Sequence, residues 1–164
     1  MEGFDVYILD IEASGLNEES YPIEIAWCAL EGADKFSVLI NPESAGGWDS
    51  WDDFAESAIH GISRSECCER GENVVVVANR LEQLLNEHPV FSDAPYQDQQ
   101  WLNRLFDAVG KRCPAFLMQI DQAVSLNKRA QLNKSLAELA RPHRAMADCL
   151  LLKKVVQTIQ AIAG

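Results

Sequence analysis

Basic side chains are scarce in the first half of this chain. Residues 1–82 carry four lysines and arginines against 18 aspartates and glutamates, a balance of -14. Residues 83–164 carry 10 against 7, a balance of +3, and the whole chain stands at -11. That excludes a protein that clings to long duplexes by counterion release. It leaves room for one that holds a few phosphates through small clusters such as Arg141 with Arg144, or Lys128, Arg129 and Lys134; the same clusters also read as ordinary solubilising charge. Long hydrophobic runs are missing too. Stretches such as Val74–Ala78 are far too short to span a bilayer, so no membrane partner is expected. Glu2 and Asp5 stand where a secretory leader would want lysine or arginine, so the cytoplasm is the expected location. The five cysteines (28, 67, 68, 113 and 149) show no zinc-site spacing, and free, mostly buried thiols are expected. At 164 residues the chain is expected to be one domain, residues 1–164, with a sizeable core.

The most informative stretch runs from Ile8 to Leu16, ILDIEASGL. Phe4, Val6 and Ile8 alternate with Asp5, Tyr7 and Leu9, a strand pattern. Side chains two apart share a strand face, so the Phe4–Val6–Ile8 face continues into Asp10 and Glu12. Two neighbouring carboxylates repel and raise each other's pKa. They are either solvated acids at a strand end or part of a divalent-metal site completed from elsewhere.

The remaining pattern predicts strands over 22–30 and 35–40 joined as a hairpin, a short strand at 90–92 and a fifth near 115–118. Segment 43–72 is the least regular, with a helical piece near 52–57 and a Ser63–Glu66 capping box. Helices are expected from Asn73 to about Glu87, from Pro95 to about Val109, in pieces near 119–127 and 131–140, and from Ala145 to about Ala163. Three strands followed by alternating helices and strands argue an α/β domain with a mixed sheet.

Two helices carry an acid at the head of an apolar stripe. Trp101, Leu102, Leu105, Phe106 and Val109 extend backward onto Asp98. Leu151, Leu152, Val155, Ile159 and Ile162 extend backward onto Asp148, with His143 five residues earlier. An acid in a first helical turn also suits the helix dipole, and a lone histidine is often a surface residue. Four inward acids together would repel strongly without about two divalent cations, and oxygen-only ligands favour Mg²⁺ or Mn²⁺ over zinc. His143 has the placement wanted of a base beside the reacting water.

These residues resemble the histidine-bearing DEDD 3′→5′ exonucleases, which include polymerase proofreading domains, RNase T and oligoribonuclease. The first motif matches as Asp10-Ile11-Glu12-Ala13-Ser14-Gly15-Leu16. The second matches as Ser92-Asp93-Ala94-Pro95-Tyr96-Gln97-Asp98 followed by Trp101-Leu102, and the third as His143-Arg144-Ala145-Met146-Ala147-Asp148. His60-Gly61-Ile62 is similar to an intermediate family segment. The resemblance implies an RNase H-like fold, a mixed five-stranded sheet flanked by helices. It implies that Asp10, Glu12, Asp98 and Asp148 hold two metals and that Glu12 and His143 serve catalysis. It implies that Ser14, Gly15, Leu16, His60, Gly61 and Ile62 contact the terminal nucleotide of a single-stranded DNA or RNA 3′ end. The product would be a nucleoside 5′-monophosphate.

The chain departs from the family pattern at Ala13-Ser14, where Thr-Thr is frequent, and at Ser92-Asp93, where His-Asn is frequent. The ligand set survives, while Asp93 adds negative charge. A catalytically idle binding module and an internally cutting nuclease are the competing readings. Trp101 is expected in the core; Trp48, Trp51 and Tyr96 are open between packing and base stacking. Some relatives are homodimers, and the sequence decides neither that nor DNA against RNA.

Overall fold

A computed structural model describes residues 5–162. Phe4 and the expected helix end at Ala163 lie outside the described residues. Strand β1 (Tyr7–Ala13) is central, in the sheet order β3-β2-β1-β4-β5. It pairs antiparallel with β2 (Pro22–Ala29), which pairs antiparallel with β3 (Lys35–Leu39). On its other side β1 runs parallel to β4 (Val90–Ser92), and β4 to β5 (Met118–Gln119). This is the expected mixed five-stranded sheet flanked by helices.

β1 has strands on both sides and helices on both faces, so both of its alternating sets are apolar and buried. Tyr7, Leu9 and Ile11 face the larger core, with α3 (Val74–Glu87) and α4 (Pro95–Ala108). Ile8 faces a second core with Ala26, Cys149 and Leu152, roofed by α6 (Ala145–Ala161) and the shorter α5 (Arg129–Ala137). Asp10 and Glu12 continue the Ile8 face, under α6.

The helix ends follow their sequence signals. Asn73 accepts the Val75 N–H and caps α3, with Pro89 just beyond its end. Pro95 opens α4. Gly110, at a φ of 70°, closes it: its N–H reaches the Asp107 carbonyl while the Lys111 N–H reaches Phe106. Ser63 caps α2 (Arg64–Arg70) by accepting the Glu66 N–H, whereas the Glu66 carboxylate pairs forward with Arg70 instead of closing the box. Two strand and helix readings shift. The fifth strand sits at Met118–Gln119 because the Gln99 side chain takes the Leu117 N–H and holds the preceding segment out of the sheet. The buried stripe of α6 is Asp148, Leu152, Val156 and Ile159, rotated from the expected one; Leu151 and Val155 are half-buried and Ile162 is exposed.

β1 and β4 end side by side at their carboxyl ends, where open α/β sheets place their ligand crevices. α4 begins immediately beyond β4 on one face and α6 begins on the other, so acids from three elements reach one sheet edge. Among the described residues no helix is long and apolar enough to cross a membrane. The α4 packing on the sheet predicts that Leu102→Ala, at a fully buried site, costs about 2–5 kcal/mol in urea unfolding.

Candidate active site

A cleft of about 380 Å³ opens at the carboxyl ends of β1 and β4. All four predicted acids line it: Asp10 and Glu12 from β1, Asp98 from α4 and Asp148 from α6. Each is under 10% exposed. Asp98 accepts the Ser92 hydroxyl, tying the first turn of α4 to the end of β4. His143 lies on the exposed loop before α6, in a left-handed conformation at a φ of 55°. Ligand atoms of Glu12, His143 and Asp148 all lie within 4.8 Å of one another.

Burial and crowding shift Asp10, Glu12 and Asp98 upward. Asp10 is pushed well above the usual carboxylate range by burial, then by Asp98, Glu12 and Asp148. Burial, with Asp148 and Glu24, lifts Glu12 to about 8. Burial lifts Asp98 to about 7, partly offset by the Ser92 hydrogen bond. A cluster of buried oxygen donors that resist ionising fits hard divalent cations: the charge that destabilises the cluster is what such an ion would bind.

The expected substrate contacts divide. Gly15 and Leu16 line the cleft, and Leu16 is 79% exposed. Gly15 has no room for a side chain, since a Cβ would stand 2.9 Å from that of Asp52. Ser14 is turned inward; it is buried and its hydroxyl accepts the Tyr21 N–H at 3.2 Å, so it is a brace of the β1–β2 connection and not a cleft residue. Of the His60-Gly61-Ile62 segment only His60 lines the cleft. It ends a π-helical turn (Glu56–His60) that continues the short α1 (Asp53–Ala55). Gly61 supplies the left-handed residue that ends the turn, and Ile62 is core. The Ile62 N–H donates to His60 Nδ1, so in the neutral ring Nε2 carries the proton; that atom is buried without a partner. Burial lowers the His60 pKa, which favours this neutral form.

The four aromatic residues also separate. Trp101 is buried in the core, as expected. Trp48 is buried too, stacked on Tyr21 at 4.9 Å. Trp51 donates to Glu56 at 2.7 Å and sits edge-on to His60, while Tyr96 is 80% exposed beside the cleft residue Gln97.

Two contributors were not assigned from sequence. Glu24 stands directly opposite Glu12 in the β1–β2 register. It takes two hydrogen bonds from Arg144, at 2.9 and 3.2 Å, and a third from the Ala145 N–H at 2.9 Å. It therefore caps α6 from a neighbouring strand and holds the helix start that carries Asp148. An acid inside the apolar run Ile23–Ala29 was the available signal. Arg141 is the second: its guanidinium reaches Asp10, Asp93 and Asp148 at once. Of the Lys128, Arg129 and Lys134 cluster, Lys128 serves the fold, donating to the Gln160 and Ile162 carbonyls at the end of α6.

Two outcomes follow. Glu24→Ala should cost roughly 1–3 kcal/mol in urea unfolding, because charge-assisted hydrogen bonds and a helix cap are lost together. With chelator present, stability should fall as pH rises from about 4.5 to about 8. Below that window Glu12 is protonated folded and unfolded; within it the unfolded chain releases a proton that the native site retains. Urea midpoints across pH check this, and Glu12→Gln should flatten the slope.

The exonuclease family model named for RNase T matches residues 7–156. A 3′-exonuclease solved in 3′-end-specific recognition of a histone mRNA stem-loop superposes with a TM-score of 0.69 at 17% identity, over 96% of this chain and 82% of that one. A zinc-bound complex of E. coli exonuclease I with single-stranded DNA gives 0.70 at 18% identity, over 94% and 40%. The same enzyme with a dA16 oligonucleotide gives 0.71 at 15%, over 95% and 41%. This chain thus spans about two-fifths of exonuclease I, and at these identities the likeness concerns the fold. No curated protein matches the chain. With the family model covering nearly its whole length, the chain belongs to the RNase T exonuclease family and is a hydrolase acting on nucleic acid.

Proposed function

We propose that this exonuclease removes nucleotides singly from the 3′ end of single-stranded nucleic acid or short oligonucleotides, releasing nucleoside 5′-monophosphates with two bound Mg²⁺ or Mn²⁺ ions. The observation that supports it is the meeting of Asp10, Glu12, Asp98 and Asp148 in one cleft beside His143. These four carboxylates would hold the ions. When bound, the ions would neutralise the cluster and stabilise charge on the scissile phosphate and the leaving 3′ oxygen.

His143, at the solvent end of the cluster, takes the proton of the attacking water as its oxygen bonds to phosphorus. The P–O3′ bond breaks, and the 5′-phosphate leaves with the terminal nucleoside. Ligand atoms of Glu12 and Asp148 lie within 4.8 Å of one on the imidazole, so the water to be deprotonated would sit beside the metal-holding acids. His60 Nε2 donates a hydrogen bond to the terminal nucleotide, and Leu16 covers its base. Exposed Tyr96 and Phe54, each within a residue of one that lines the cleft, would offer stacking faces to bases upstream. The exonuclease I complexes with single-stranded DNA favour a single strand as substrate.

Asp98→Ala and Asp148→Ala should each lower Mg²⁺-dependent mononucleotide release by at least ~10²-fold with the circular dichroism spectrum unchanged; wild-type rates would reject the ligand assignment. His143→Ala should cost ~10²–10⁴-fold in kcat. A labelled circular single strand should stay intact, whereas its linear form is shortened from the 3′ end. Cutting of the circle would mark an internal nuclease, and binding without shortening an idle module.

A further inference from the structure

Arg141 is the one cation that touches the acid cluster among the described residues. Its Nε donates to Asp148 Oδ1 at 2.8 Å, one terminal nitrogen reaches Asp10 Oδ1 at 3.3 Å, and the other reaches Asp93 Oδ2 at 2.5 Å. Asp10 and Asp148 belong to the proposed ligand set, so Arg141 is bonded to two of the carboxylates that would hold divalent ions. Asp93 is not in that set. It follows β4 and lines the same cleft.

We propose that Arg141 is a displaceable counter-cation of the carboxylate cluster, competing with divalent metal for Asp10 and Asp148, and that Asp93 is the anchor that keeps it at the cleft wall when metal takes those oxygens. The inference rests on the two-metal reading above.

Charge balance argues for it. Four buried carboxylates without a cation would repel one another strongly, and a guanidinium fork that meets three carboxylates relieves part of that cost. A fixed positive charge beside the cluster would oppose two incoming dications. Asp93 cancels it, so the Arg141–Asp93 pair adds nothing net and the four acids keep their full attraction for metal. Geometry argues the same way. Arg141 is on an irregular segment between α5 and α6, followed by Pro142 and the left-handed His143. Its side chain is 19% exposed and that of Asp93 20%, against 2% for Asp148. The Asp93 contact is thus the outermost of the three by burial, and the natural one to survive.

The test is calorimetric titration of Mn²⁺ into wild type, Arg141→Gln, Asp93→Asn and the double variant, with no substrate present. Arg141→Gln should tighten binding about tenfold, and Asp93→Asn should weaken it about fivefold, as Arg141 turns wholly onto Asp10 and Asp148. In the Arg141→Gln background Asp93→Asn should change the affinity less than about twofold. That non-additivity separates an anchor from a bare nearby charge. An equal Asp93→Asn effect in both backgrounds overturns the proposal and leaves the metal site standing. In chelator, Arg141→Gln should lower Tm by roughly 5 °C, and Mn²⁺ should close the gap; an unchanged Tm in chelator also overturns it. If Arg141→Gln does not fold, Arg141→Lys, which keeps the charge and loses the fork, should tighten Mn²⁺ binding about threefold, and unchanged affinity counts against the proposal. Failure of every variant and wild type to bind Mn²⁺ overturns the two-metal reading, and this proposal with it.

Discussion

Like charges held out of water are the constraint around which this molecule is arranged. Asp10, Glu12, Asp98 and Asp148 are all buried at one sheet edge, and burial, with neighbouring acids, makes Asp10, Glu12 and Asp98 resist ionising. Such a grouping costs stability, and it is tolerable only with compensation. The protein supplies some of that itself. Ser92 donates to Asp98, Arg141 bridges Asp10 and Asp148, and the residual demand is what divalent ions would meet.

The fold serves this concentration of charge by bringing three chain segments to one point. β1 delivers two acids on the face beneath α6. α4 reaches the same point from the opposite layer because it starts directly after β4. α6 is fixed by Glu24, which caps its first turn from the neighbouring strand. A single β-strand register therefore sets two distances at once: Glu12 and Glu24 are paired across β1 and β2, and through Glu24 the position of Asp148 follows. Stability and site geometry are coupled through that pair.

The periphery of the site is built differently. His143 and His60 sit at left-handed or π-helical irregularities, where the chain leaves regular structure to aim a side chain. Gly15 lets the loop after β1 press against Asp52, and the α1 segment carrying His60 follows from that contact. These are short-range irregularities set at the edge of a regular sheet.

Much of this was legible from residue order alone. Period-two alternation marked β1, and the Asp98 and Asp148 stripes pointed inward because an acid replaced leucine at a core-facing helical position. Caps and breakers at Asn73, Pro95 and Gly110 marked helix ends, since those residues act on their own backbone neighbourhood. Local pattern did not reveal that Ser14 turns inward, that the fifth strand starts at Met118, or that α6 is rotated onto Val156. Each depends on a partner distant in the chain: Tyr21 for Ser14, Gln99 for the strand, and the sheet surface for the helix. Arg141 and Glu24 belong with these. Their residue types were visible, but a charge acquires meaning only from what stands within a few ångströms of it, and only the folded chain brings Asp10, Asp93 and Asp148 around one guanidinium. Periodicity along the chain determined which faces are buried; tertiary packing alone decided which charges meet.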